Sequence, residues 1–425
     1  MTAQSAYKLI KARYMIDGRA DRPMDHGAVL IEGSRIAAVG RAQDLAAPEG
    51  APVEVFDYPT GTLMPGLIDV HCHFNYLGDG THTDDVMAMS DDVLLMRSLM
   101  TARIHLEAGV TTARETGAKH DTSFALREGI KLAVAQGPRL VLCGNPVTIS
   151  GGHMWQMGGE ADGPTGVRAA VRNMKKRGAD WIKVPVTGGS TRSSVPYRPS
   201  FTQEELDALT DEAHKLGLRV GAHSRLTETI VMCLDAGVDM VIHGGFQERD
   251  QSWVFRPEVA ERAARHGMSI NTTLHIGRAR VLMLQEMAER TGESPSFTYG
   301  EERFELEKEE RDFDTRMGQV RRLIDIGVKL IPGTDSGFGW FPFGGFAYEL
   351  ECLTLGGMNP VQAINAATRD ASEAIDVSDL VGTLERGKEA DLLVVEGNAG
   401  ADIKALHNVR AVFQAGQVVR AEASG

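Results

Sequence analysis

GLIDVHCH, residues 66–73, is a short apolar run that opens on glycine and closes on two histidines with a cysteine between them. Side chains alternate along a β-strand, so His71 and His73 share one face and Cys72 points to the other. Seven further runs of this kind follow: GVTTARE (109–115), PRLVLCG (138–144), ADWIKVPV (179–186), GLRVGAH (217–223), VDMVIHGG (238–245), GMSINTTLH (267–275) and GVKLIPGTD (327–335). A longer polar or helical stretch comes after each of the first seven. Eight strands alternating with helices predict an α/β fold of the (β/α)8, or TIM-barrel, kind. The rhythm loosens over 275–327, where EERFELEKEERDFDTRMGQVRRLIDIG reads as a highly charged helix packed through Phe304, Leu306, Phe313 and Met317. Such a helix either completes a crossover in solvent or covers a substrate.

Outside this repeat the pattern is different. YKLIKARYMID, GAVLIEGSRIAAVG and VEVFDYP in the first 65 residues, and ADLLVVEG and VRAVFQAGQVV near the other end, alternate apolar and polar positions as short strands do. Neither piece is long enough to bury a core alone, so residues 1–65 and 376–425 are expected to join in one small β module beside a catalytic unit of 66–375. The chain has 425 residues and a net charge of −13, a balance that disfavours nucleic acid and anionic membranes as partners. Its cysteines, Cys72, Cys143, Cys233 and Cys352, form no CxxC pair, so no disulfide framework is expected. No signal-peptide core opens the sequence and no run of 18 apolar residues follows, which reads as a soluble cytoplasmic protein. The phosphate-binding GxxxxGK[ST] pattern is absent, so neither ATP nor NAD is indicated.

In a barrel, reactive side chains gather at the carboxyl ends of the strands. His71 and His73 end the first run, Lys183 lies in the fourth, His223 closes the fifth, His243 is near the end of the sixth, and Asp335 closes the eighth. Imidazole nitrogens and carboxylate oxygens suit zinc and related ions. An ammonium group offers no lone pair, but a Lys183 that has reacted with carbon dioxide carries a carbamate able to bridge two ions. Taken singly, His223 and His243 could be satisfied core histidines, Lys183 a salt-bridge partner and Asp335 a cap on the SGFGW turn. Their shared placement favours a metal site.

With TLMPGLIDVHCH, DWIKVPVTGG, LGLRVGAHS, GVDMVIHGG, LIPGTDSG, NPVQAINAATRDASEAI and LVGTLERGKEADLLVVEGN in order, the chain resembles the amidohydrolase superfamily. The resemblance is to the branch of imidazolonepropionase-like proteins and metal-dependent dipeptidases, those of Xaa-Pro dipeptidase and carboxypeptidase type included. It implies a barrel with a small β-sandwich from both termini and a binuclear centre, most readily of zinc. In that pattern His71, His73 and Asp335 hold the more buried ion, His223 and His243 hold the more exposed one, and carboxylated Lys183 bridges them. WIKVPVTGG resembles the peptidase side of the branch, whereas Ile242 stands where dipeptidase relatives carry an acid before the sixth-strand histidine.

The chemistry so implied is cleavage of an amide or peptide C–N bond by a metal-bridging hydroxide, with Asp335 taking the proton of the water and giving it to the leaving nitrogen. His153, in the glycine-rich loop SGGHMWQMGG, is placed to donate a hydrogen bond to the developing oxyanion. Arg192, Tyr197 and Arg198 in TGGSTRSSVPYRPS, and Arg225 just past a ligand, are candidates for a substrate carboxylate or for loop anchoring. Trp340, in the aromatic loop SGFGWFPFGGFAYE, is a candidate wall for a bulky apolar group. The substrate is therefore read as a small N-acyl amino acid, dipeptide or aryl amide. Carbamate, urea, lactone or organophosphate hydrolysis on the same centre, and a non-catalytic barrel scaffold, are the alternatives. A homo-oligomer is expected, with the charged helix at 301–315 a possible contributor to its interface.

Overall fold

A computed structural model describes residues 7–292, 294–299 and 302–422. The eight apolar runs are all strands: Leu67–Cys72, Val110–Glu115, Arg139–Leu142, Trp181–Pro185, Arg219–Leu226, Met240–Gln247, Ser269–Asn271 and Leu330–Ile331. They pair in parallel and in chain order, the first three in one sheet and the last five in another. At least one helix follows each of the first seven. Strands one, two, four, seven and eight are buried along their whole length, as parallel strands covered on both faces must be.

The predicted barrel does not close as one continuous ladder. Between strands three and four Asp180 N–H donates to the Leu142 carbonyl at 2.8 Å, and between strands eight and one His71 O accepts from Asp335 N at 2.8 Å. Strand eight has only two residues. Pro332, which has no N–H, follows it directly and cannot extend the ladder. Gly333 then passes so near the first strand that a Cβ there would lie 2.8 Å from the His71 Cβ.

Both ends of the chain meet in a single seven-stranded sheet. Its pivot is the 13-residue strand Val53–Pro65, parallel to Tyr7–Met15 on one side and antiparallel to Leu392–Glu396 on the other. The strands of the expected small β module are thus linked in one hydrogen-bonded sheet, because one long strand carries partners from both termini. Ile10, Val29, Ile31, Leu63, Leu392, Val394 and Phe413 form its own core. Gly66 alone separates the pivot strand from Leu67–Cys72, and a Cβ at Gly66 would fall 2.1 Å from Thr111 Oγ1. The terminal sheet is therefore joined without slack to the strand that carries His71 and His73.

The charged stretch after residue 300 divides in two. Ser296–Tyr299 and Glu302–Glu305 form an antiparallel hairpin, and the helix begins at Leu306 and runs to Ile326. Phe304 belongs to the hairpin and stacks on Phe297 with ring centroids 4.9 Å apart. Residue 301, included in the predicted helix, lies outside the described residues. The four cysteines are buried and free. Among the described residues no helix is long and apolar enough to cross a membrane.

Candidate metal centre

The strand ends converge on one cavity of about 480 Å³, lined among others by His71, His73, His153, Lys183, His223, His243 and Asp335. Such a volume suits a small-molecule site. His71 Nε2 and His73 Nε2 lie 3.3 Å apart, and Asp335 Oδ1 lies 3.4 and 3.3 Å from them. The remaining ring nitrogens are tied elsewhere. His71 Nδ1–H donates to Asn271 Oδ1 at 2.8 Å and His73 Nδ1–H donates to the Gly117 carbonyl at 2.9 Å. Those acceptors assign the proton to Nδ1 in both rings and leave two lone pairs and a carboxylate oxygen facing one point.

His223 and His243 make a second pair. His223 Nε2–H donates to the Gly188 carbonyl at 3.1 Å, so its Nδ1 lone pair faces His243 Nε2 at 2.9 Å. The other nitrogen of His243 is held by Thr273 Oγ1 at 2.8 Å. The two pairs adjoin, with His71 and His243 ring centroids 5.6 Å apart. His243 and Asp335 have φ values of 71° and 59°, an uncommon conformation for residues with a side chain. Arg316 supports the first of them, donating to the Gly244 carbonyl at 2.7 Å and to the His243 carbonyl.

Electrostatics agree with this geometry. Burial, with the nearby Lys183 charge contributing, drives the pKa values of His71, His223 and His243 well below the usual histidine range, so these three rings are neutral near neutral pH and keep a lone pair each. Burial would raise Asp335, but its contact with His73 and the nearby Lys183 ammonium hold it below the ordinary carboxylate range. Burial pushes Lys183 down to about 8. Its ammonium has no hydrogen bond among the described residues, and the side chain is buried. Four imidazoles and a carboxylate gathered in one cavity, with an easily deprotonated amine among them, fit divalent cations.

The substrate-side expectations divide. His153 is in the cavity wall, 4.9 Å from His223 between ring centroids, with Nδ1 held 2.9 Å from Thr191 Oγ1. Tyr197 and Arg225 also line the cavity, and Arg225 has no ion pair with a carboxylate among the described residues. Arg192 does not line it: its guanidinium makes a bidentate pair with Asp85 at 3.0 and 3.2 Å. Arg198 is exposed and outside the lining. Trp340 packs on Phe297 and Tyr299 of the hairpin, at 4.7 and 5.1 Å, and leaves the cavity wall to Phe338.

Some contributors were not anticipated. Asn271 and Thr273 orient the histidines, and their signal was a polar cluster ending the apolar run GMSINTTLH. The hairpin and the helix after it supply Phe304, Phe313, Lys308 and Arg316 to the lining, while Met317, Val320 and Leu323 of the same helix pack into the main core on the way to the eighth strand.

Residues 62–419 match the model of the amidohydrolase family. The chain belongs to that family. It is 27% identical over 449 aligned positions to a protein named ochratoxinase from Aspergillus niger, a match covering 97% of this chain and 85% of that one. It is 24% identical to an imidazolonepropionase of Geobacillus kaustophilus, over 87% of this chain and 84% of the other. A crystal structure of an Xaa-Pro dipeptidase with bound methionine in the active site superposes with a TM-score of 0.81 at 26% identity, covering 97% of this chain and 99% of that one. This family membership makes the chain a hydrolase of the amidohydrolase kind, and a small molecule the object of its chemistry.

Proposed function

We propose that this amidohydrolase cleaves an amide or peptide C–N bond in a small carboxylate-bearing molecule, an N-acyl amino acid, dipeptide or aryl amide. We also propose that its eight parallel strands serve as a (β/α)8 barrel within residues 66–375. The observation that carries the functional reading is the convergence of His71, His73, His223, His243 and Asp335 around buried Lys183. In this reading His71, His73 and Asp335 would hold one divalent ion, His223 and His243 would hold a second, and Lys183 as its carbamate would complete the donor set. Bound zinc ions would acidify a water and polarise the scissile carbonyl.

The chain's own groups supply the rest. Asp335, ionised at neutral pH, accepts the proton of the attacking water and returns it to the leaving nitrogen. Thr191 Oγ1 already accepts the Met154 N–H at 3.0 Å, so its hydroxyl is able to donate to His153 Nδ1 and keep the ring proton on Nε2. Burial lowers His153 to about 3, which makes it a neutral donor to the developing oxyanion. Arg225, with Tyr197 beside it, takes the substrate carboxylate, since it makes no ion pair among the described residues and feels Glu302 and Asp335 only at longer range. Phe304, Phe313 and Phe338 provide an apolar wall for a bulky group. A relative named for ochratoxin and a dipeptidase holding methionine support a substrate that joins a carboxylate to an amide.

Turnover of an N-acyl amino acid, its carboxamide analogue, an aryl amide and a lactone tests this reading. Amide cleavage is expected, with KM at least tenfold higher once the substrate carboxylate is blocked. Lactone, carbamate or phosphotriester turnover without amide turnover contradicts it, as does a metal-loaded chain that cleaves none of them.

A further inference from the structure

The two histidine pairs lean on one loop. The seventh strand, Ser269–Asn271, runs into Thr272, Thr273 and Leu274 before the next helix begins at His275. Asn271 Oδ1 accepts from His71 Nδ1–H, and Thr273 Oγ1 lies 2.8 Å from His243 Nδ1. One ring of each pair is thus oriented from this short segment. Thr273 has a φ of 45°, in the left-handed region that a β-branched residue rarely enters. Such a conformation persists only where the surroundings hold it.

Glu349 does the holding. It lies in the first turn of the helix Phe346–Leu355, which follows the eighth strand, and it is fully buried. Its Oε1 accepts from Thr272 Oγ1–H at 2.6 Å and its Oε2 from His275 N–H at 2.7 Å, so its two oxygens grip the loop on either side of Thr273. Phe346, Ala347, Leu350 and Leu353 of the same helix belong to the main apolar core. An acid among them is costly unless its hydrogen bonds are made, and the loop makes them. Glu349 does not line the cavity, so what it does for the site it does through the loop.

We infer that Glu349 is a positioning residue: by clamping Thr272 and His275 it sets Asn271 and Thr273, and through them it orients His71 and His243. Supporting hydrogen bonds to a ligating imidazole fix its tautomer and its direction, and this carboxylate would govern one such bond in each pair. The inference rests on the reading of these histidines as metal ligands. The clamp itself is testable without any metal, because the His71 Nδ1–H bond to Asn271 reports on the loop directly.

Glu349→Leu removes both acceptors. In the full chain without metal, the His71 Nδ1–H proton resonance should lose its hydrogen-bonded downfield shift and its protection from exchange. Zinc affinity, read by chelator competition, should fall by about tenfold or more. Glu349→Gln still accepts from His275 N–H and donates to Thr272 Oγ1, so it should keep both properties near the wild-type level. Thr272→Val breaks one of the two bonds and should fall between wild type and Glu349→Leu, and it serves as the test if the latter does not fold. Leu350→Ala opens a cavity beside Glu349 in the same helix; it should lower the melting temperature but leave the ring proton and zinc affinity unchanged. A folded Glu349→Leu or Thr272→Val protein with the wild-type ring proton and zinc affinity would overturn the inference. So would a Leu350→Ala protein that loses both, since general destabilisation would then account for the effect. Loss of the ring-proton signal in Glu349→Leu, in a chain that binds no zinc even as wild type, would support the clamp and reject the metal reading.

Discussion

Replacing Asn271 with alanine removes the group that orients the most buried of the proposed ligands. Its Oδ1 accepts from His71 Nδ1–H at 2.8 Å, its Nδ2 donates to the Ile331 carbonyl at 3.0 Å, and the side chain is wholly buried. Alanine leaves the His71 N–H in the interior with no acceptor, a loss of about 1 to 3 kcal/mol for an unsatisfied buried donor. The ring can then turn its proton toward the metal, and removing such a supporting hydrogen bond weakens metal affinity by roughly 10- to 100-fold. The two figures agree, since a factor of ten corresponds to about 1.4 kcal/mol. Zinc affinity measured by competition with a chromophoric chelator reads this directly. Asn271→Asp keeps an oxygen opposite His71 and should hold zinc far more tightly than the alanine variant. Native zinc affinity in a folded Asn271→Ala protein would refute the reasoning, because His71 would then be oriented by something other than this hydrogen bond.

His153→Ala should lower kcat by about 100-fold or more, the usual cost of an oxyanion donor, while metal content stays at the wild-type level. Gly189→Ala should act on the same histidine, since the added Cβ would lie 2.4 Å from His153 Nε2; kcat should fall with little change in zinc affinity. In the metal-free protein, stability should drop as pH falls below about 6.5. The unfolded chain binds protons on histidine there, whereas folded His153 resists until about 3 and His71, His223 and His243 shift the same way. Urea unfolding across this interval checks it, with His153→Gln giving a shallower slope. Lys183 works at the other end. Its folded value of about 8 against 10.5 means that stability of the metal-free protein rises with pH between those values, and Lys183→Met should abolish that rise.

The strands, and the polar side chains that gather at their ends, were legible because both signals are local: a glycine, a short apolar run, and a polar residue where the run stops. The closure of the ladder was not, since it turns on Pro332 and on the close pass of Gly333 beside His71. The terminal strands were readable as β structure, but their union in one sheet depends on Val53–Pro65 pairing with segments from both ends of the chain. Arg192 shows where side-chain direction escapes a sequence reading. It lies in the expected loop, yet Asp85, 107 positions away, takes its guanidinium from the cavity. Trp340 is drawn to the Phe297–Phe304 hairpin in the same way, while Asn271 passed for a strand residue although it holds His71.

Zinc stoichiometry on protein reconstituted in bicarbonate, for the wild type and for Lys183→Ala, tests the proposed binuclear centre most directly. Two ions per chain in the wild type, and one or none at equal zinc in the variant, with amide turnover lost in parallel, is the result predicted here. Saturation at a single ion in both proteins, with turnover intact in the variant, would contradict it.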